Sequence, residues 1–411
     1  MVKTKTKKPK AQPMSQTINR KTLFIILAAG TLAVMAGSII SPVIALMQGN
    51  LAGADENNIR FVLTIHSLFI AIFSPIFGAL IDKVGPKKPF TFGLLIYGIA
   101  GASGLFITDI TTMIVSRVFL GIAVAGVATP LAVLILNSYK GEECNKVMGW
   151  QASSAAFGGV VWPLIGGALG VLAWNLPFGI YLAGIPLGLL ALLFLPDFSK
   201  TKIAAQADAT KSVSVLQTLK RKPFILAIYG LGMWLMVMLY TNVTFVPQLV
   251  AQGFGVSNSL FISVFISVMG IAATLSAFMF KKVKAKFSSN GIVVIALSLW
   301  TVGFVVLSQF IGIVPVVLMV VLFGVGQGML LPTLNLWMGE LSDVHTRGRM
   351  VSLLTTFLFL GQFLPPIIFN PVFSAFSFAG VFLTSGLACA FLTVLFVINS
   401  KRKMTYRSLL L

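Results

Sequence analysis

Apolar positions run through this chain in long unbroken stretches, and polar positions are confined to short segments between them. A helix crosses the hydrocarbon layer with about 20 predominantly apolar residues. On that measure the pattern predicts twelve membrane-spanning helices, over 23–47, 59–81, 89–107, 110–136, 146–171, 177–195, 224–248, 257–280, 290–310, 312–338, 350–374 and 377–398. The connections are short except for 196–222, which is polar and basic. The expected organisation is therefore a basic tail over 1–22, a six-helix bundle over 23–195, a linker over 196–222, a second six-helix bundle over 223–399 and a tail over 400–411. The fold class is an all-α membrane protein.

Composition agrees. Of 411 residues, 57% are hydrophobic and 10% charged, against about a quarter charged in soluble domains. Mean hydropathy is +0.97. The net charge of +20 changes the picture only through its placement. With the N-terminus cytoplasmic, 28 of the 30 Lys and Arg fall in segments on that side, the exceptions being Arg60, at the outer lip of span two, and Arg117, inside span four. The positive-inside rule then places both termini in the cytoplasm of a multi-pass protein of the cytoplasmic (inner) membrane. This charge meets anionic lipid headgroups and not nucleic acid. Leu23–Met47 is too long for the apolar core of a signal peptide and is read as a retained helix. Cys144 and Cys389 stand alone, without metal spacing, and are read as free thiols.

The two halves echo each other at an offset of 202 residues: Gly126 with Gly328, Pro130 with Pro332, Met148 with Met350, Gly159 with Gly361 and Pro163 with Pro365. Parallel repeats of six spans, with a binding site between them, are a transporter plan.

Between spans two and three lies GALIDKVGPKK, residues 78–88. Gly78 would let span two approach a neighbour closely, and Gly85 suits a tight turn. This stretch, with Asp82 and the basic pair Lys87 and Lys88, resembles the loop signature of the major facilitator superfamily, and the resemblance extends over all twelve spans. It implies a conformational latch in which Asp82 meets the start of span eleven, where Arg347 and Arg349 stand, when the cytoplasmic side is shut. Pro86 replaces the family's usual arginine. The alternative is that Asp82 is a carboxylate capping a loop beside lysines.

Arg117 lies about 10 Å inside span four at 1.5 Å per residue, where an arginine costs on the order of 2.5–3.5 kcal/mol to insert. With Gly121 it resembles the family's R-x-x-x-G motif, linked there to proton coupling. The alternative is a side chain snorkelling to the outer headgroups. Span five holds GGVVWPLIGGALG over 158–170. Pro163, Gly166 and Gly167, with Gly159, resemble the glycine–proline signature of the 12-span drug:proton antiporter branch, and Trp162 stands where a glycine is usual. Glycines let helices touch at the backbone and a proline bends the span, here as a gate helix. Trp162 is alternatively a ring at the outer gate.

All ten acidic residues fall outside the span interiors. His66 is read first as a packing residue and second as a group that titrates near neutrality. A cavity with Arg117 and His66, and no deep carboxylate, would favour neutral or anionic amphiphiles. Trp234, Tyr240, Asn242, Gln327, Asn335 and Gln362 are candidate lining groups, or else helix–helix hydrogen bonds.

No Walker-type phosphate loop, metal cluster or Ser/His/Asp grouping is present, so an enzyme is not expected. The expectation is a monomeric secondary transporter of small molecules, working by alternating access with no cofactor and with the proton gradient as energy source, exporting drug-like or metabolite compounds. An uptake permease or facilitator for a small polar solute such as a sugar, organic acid or siderophore is the alternative.

Overall fold

The computed structural model describes residues 20–139, 141–197, 224–341 and 347–408, with side chains for all but 347–349 and 399–408. Most of the expected tails and nearly all of the expected linker lie outside the described residues.

The chain is helical throughout these segments. The N-terminal half contains α1 (Arg20–Ser38), α2 (Ile44–Asn50), α3 (Ile59–Val84), α4 (Lys87–Ala102), α5 (Ile110–Ser138), α6 (Gly141–Leu172) and α7 (Gly184–Phe194). The C-terminal half contains α8 (Phe224–Gln248), α9 (Ser259–Lys286), α10 (Ser289–Gln309), α11 (Ile313–Leu341), α12 (Arg347–Phe363) and α13 (Pro365–Ser408). A backbone that crosses lipid must satisfy its own hydrogen bonds, and a helix does so within one segment.

Among the described residues, ten helical stretches are long and apolar enough to cross a membrane. The difference from the twelve expected has two local causes. Helix α4 is only 16 residues long, because the chain tightens into a 3-10 turn at Ser103–Leu105. The two last expected spans fall within one apolar stretch, Met350–Ile398, which is broken at Ser377, where φ is 55°. The last helix runs on through Ser408.

Each half has its own apolar core, one drawn from Ile25 to Leu195 and the other from Ile225 to Cys389. Helices come together where side chains are missing. A Cβ on Gly93 of α4 would lie 2.7 Å from the carbonyl carbon of Gly126 on α5, so only glycine permits that approach. Buried ring donors are satisfied by backbone carbonyls: Tyr97 donates to Leu32 O at 2.6 Å, Tyr181 to Ala36 O at 2.7 Å and Trp300 to Phe323 O at 2.9 Å.

The halves meet unevenly. Toward the end marked by Asp109, Ser41 Oγ donates to Val243 O at 2.6 Å, Ser259 Oγ to Gly167 O at 2.7 Å, and Gln252 pairs with Gln48 at 3.1 Å. Ser267 Oγ donates to Val160 O at 2.9 Å. Ser41 and Val243 stand 202 residues apart, the offset of the sequence echo. Toward the opposite end, marked by Asp82, no hydrogen bond joins the halves among the described residues. Helix α3 registers the difference. None of residues 59–71 is exposed, whereas between Ile72 and Val84 only Ile81 is buried.

Candidate functional site

Polar side chains from both halves converge at the middle of the seam. His66 and Ser67 come from α3, Met236 and Tyr240 from α8, and Gln362 from α12. Ser67 Oγ donates to Gln362 Oε1 at 2.8 Å and lies 3.4 Å from His66 Nε2. Gln362 Nε2 reaches Met236 Sδ at 3.6 Å. Gly37 of α1 makes room for this meeting: a Cβ there would be 3.0 Å from Tyr240 Oη and 3.1 Å from His66 Cε1. His66, Tyr240 and Gln362 are thus brought together as a cluster spanning the two halves. His66 is 2% exposed and its Nδ1 has no hydrogen-bond partner.

Arg117 lies next to this cluster but points away from the seam. Its side chain is 0% exposed, which rules out snorkelling to the headgroups in this structure. Nη2 donates to Ala100 O at 3.2 Å and Gly101 O at 3.1 Å, and Nε donates to Ser116 Oγ at 3.1 Å. Those carbonyls belong to the last turn of α4, which carries the negative end of the helix dipole, and Ala100 O also accepts from Ser103 Oγ at 2.8 Å. The guanidinium also faces Phe178 at 5.0 Å and Tyr181 at 5.5 Å. One turn further along α5, a Cβ on Gly121 would run into the His66 carbonyl, so this glycine lays α5 directly on α3.

Arg60 is the residue that sequence reasoning missed. It is 0% exposed and lies inside the seam, not at a lip. Its Nε donates to Gln248 Oε1 at 2.7 Å and its Nη1 to Asn370 Oδ1 at 2.9 Å. The guanidinium carbon is 4.1 Å from the ring centre of Phe245 and 4.1 Å from that of Phe373. Asn370 in turn donates from Nδ2 to Asn57 O at 3.0 Å. Together these contacts seal the Asp109 end.

Helix α6 packs across the seam at the same end. Gly166 leaves no space for a Cβ against the Ile39 carbonyl, and a Cβ on Gly167 would lie 2.6 Å from Ser263 Cβ and 2.7 Å from Ser259 O. Pro163 is buried within the helix. Gly159 is looser, with Val34 Cγ1 3.9 Å from its notional Cβ. Trp162 donates from Nε1 to Thr31 O at 3.1 Å, tying α6 to α1 within its own half.

At the other end Gly85 caps α3 with φ of 79°, its N–H donating to Ile81 O at 2.8 Å, as a tight turn requires. Asp82 is exposed, without a hydrogen-bond or ion-pair partner among the described residues. A Cβ on Gly78 would meet nothing within 4 Å, so the close approach expected of it is not made in this structure. Lys87 is half-buried and Lys88 exposed. The side chains of Arg347 and Arg349 lie outside the described residues.

The remaining candidates are dispersed. Trp234 lines an apolar cleft of about 410 Å³ between α8 and α13, with Phe224 and Phe396 at one end. Asn242 is fully buried and donates to Met238 O at 3.0 Å within its own helix, leaving its Oδ1 without a partner. On α11, Gln327 is half-buried and Asn335 exposed.

The Major Facilitator Superfamily model matches residues 26–366 and 242–408, and the chain belongs to that family. It is a multi-pass transporter and not an enzyme. It is 23% identical over 367 residues to the multi-drug resistance efflux pump PmrA of Streptococcus pneumoniae, covering 86% of this chain and 90% of that one. It is 23% identical over 401 residues to the bacillibactin exporter of Bacillus subtilis, covering 95% and 99%. Among solved structures, a bacterial homologue of the human lysosomal transporter Spinster, described as inward-facing and unoccupied, superposes with a TM-score of 0.73 at 17% identity, covering 93% of this chain and 95% of that one.

Proposed function

We propose that the protein is a secondary active exporter of drug-like or metabolite compounds, driven by proton entry across the cytoplasmic membrane and working by alternating access. In this reading the chain crosses the bilayer twelve times as two six-helix bundles with both termini cytoplasmic. The Asp109 end is then the outer face, and the Asp82 end opens to the cytoplasm. The observation that carries the reading is the uneven seam: bonds from Ser41, Arg60, Ser259 and Gln252 close one end, while Asp82 and Gly78 stand free at the other. The separate cores of the two halves and the Ser41–Val243 contact at the repeat offset support rocking about a central axis. Substrate would bind at the polar cluster of His66, Ser67, Tyr240 and Gln362. It shifts the equilibrium only in so far as it binds the two states differently. The efflux assignment draws on the named pumps to which the chain is similar.

The confinement of all ten acidic residues outside the span interiors favours a second reading, an uptake permease or facilitator for a small polar solute. Transport in proteoliposomes with an imposed pH gradient separates the two. The exporter moves lipophilic dyes at a rate set by the gradient. Dye movement indifferent to the gradient, with uptake of one polar solute, would replace it with the permease.

A further inference from the structure

Arg60 and its partners come from opposite sides of the seam. Arg60 is on α3, whereas Phe245 and Gln248 are on α8 and Asn370 and Phe373 on α13. The four holding groups therefore form a unit without Arg60. Their rings are braced within the C-terminal half: Phe245 and Phe373 have centroids 6.0 Å apart, Phe245 packs on Phe369 at 6.3 Å, and Phe373 packs edge-on to Phe378 at 4.9 Å. Two aromatic faces and two amide oxygens, with no cation of their own, make a socket for a planar or substituted organic cation. The guanidinium that fills it is incompletely held, since its Nη2 is buried without a partner, as is Gln248 Nε2.

We propose that this socket is an organic-cation site on the outer face, occupied by the chain's own Arg60 when that face is sealed and vacated when the halves part there. An external guanidinium-type cation then competes with Arg60 and holds the outer gate open. The proposal rests on the alternating-access reading. It differs from the central site in location, at the mouth of the exit path, and in lining, since two aromatic faces bracket the guanidinium here.

Thr64 reports the state of this gate. It lies one turn beyond Arg60, is fully buried, and its hydroxyl bonds the Arg60 carbonyl at 3.3 Å. A Thr64→Cys protein with Cys144 and Cys389 replaced is labelled in intact cells with a membrane-impermeant maleimide. Adding Arg60→Ala should raise the labelling rate about tenfold, the loss expected from a desolvated cation–aromatic clamp. With Arg60 intact, external methylguanidinium should raise labelling saturably where equimolar sodium does not, and Phe245→Leu should abolish that selectivity. Labelling unchanged by Arg60→Ala, or methylguanidinium acting no differently from sodium, overturns the socket. If Arg60→Ala fails to reach the membrane, the methylguanidinium comparison decides alone. Ala79→Cys, labelled from the other face in inverted vesicles, checks alternating access separately. If its accessibility never changes with substrate, the parent reading fails whatever the socket does.

Discussion

The two ends of α3 lie on one continuous helix and have opposite surroundings. From Ile59 to Ala71 no residue is exposed, and the helix contributes Arg60 and Ser67 to contacts with the other half. From Ile72 to Val84 only Ile81 is buried, while Phe73 and Phe77 pack on the core of their own half. The carboxylates show the same division. Asp109, at the sealed end, caps α5 by accepting from the Thr112 N–H at 2.8 Å, while Asp82, at the free end, is without a partner among the described residues. Both ends are equally apolar, so hydrophobicity does not decide which is shut. The closed end is instead made by hydrogen bonds and ring contacts that span the seam, which can be exchanged for others when the halves rock.

The most forceful test of this contrast places the same side chain at a glycine in each end. Gly167→Leu fills the sealed seam against Ser259 and Ser263. It should cost the sealed state about 1–3 kcal/mol, the range for overpacking a tight contact. Unfolding in detergent and the Thr64→Cys labelling rate would both register it. Gly78→Leu meets open space here and should leave unfolding within about 0.5 kcal/mol of the parent. If the latch forms, however, that leucine obstructs closure of the Asp82 end and transport falls. Equal effects of the two substitutions on stability would erase the distinction between the ends.

Asp82→Asn probes the free end more finely. It keeps the shape and removes the charge, so folding and membrane content should stay as they are. If Asp82 engages the N-terminus of α12 when the cytoplasmic side shuts, transport should fall about tenfold, corresponding to about 1.4 kcal/mol lost from the closed state. Substrate flux per protein molecule in proteoliposomes measures this. Unchanged flux would leave Asp82 as a loop residue.

Much of this architecture is legible in the sequence because lipid imposes a simple grammar. Long apolar runs become helices, and Gly85, Gly121, Gly166 and Gly167 mark a turn and backbone contacts that only glycine permits. Arg117 announces itself by its depth. Arg60 does not, since it sits where the hydropathy of α3 begins and reads as a residue at the water's edge. Its burial is created by Gln248 and Asn370, 188 and 310 residues away in the chain, and no local pattern carries that information. One signal was available: Arg60 is the only basic residue expected in an outer-facing loop or lip, against the charge bias. The partners of Trp162 and Trp234 are not legible for a different reason, because an indole in a span says nothing about which neighbour it will face. The Thr31 carbonyl takes one and an apolar cleft the other. The merged stretch Met350–Ile398 reads by hydropathy as two spans, over 350–374 and 377–398, and the backbone does break there, at Ser377.

The smallest expected effect belongs to the sealed end. Asp109 is half-buried at the head of α5, and the Thr112 backbone N–H, aided by the Thr112 side chain, holds its carboxyl below the usual range. A carboxylate with a depressed folded value stabilises the fold above its unfolded pKa of about 3.9, and that contribution is lost as the pH falls through the folded value. Asp109→Asn retains an oxygen that can accept from Thr112 but removes the charge at the positive end of α5. The variant should therefore unfold at a slightly lower temperature than the parent at neutral pH. The gap should narrow as the pH drops below about 4, where the parent's carboxyl also becomes neutral. The effect is small because solvent still reaches and screens a charge at a helix end. A gap that persists unchanged into acid would mean the cap acts through geometry alone, and a gap that widens would reverse the assigned sign.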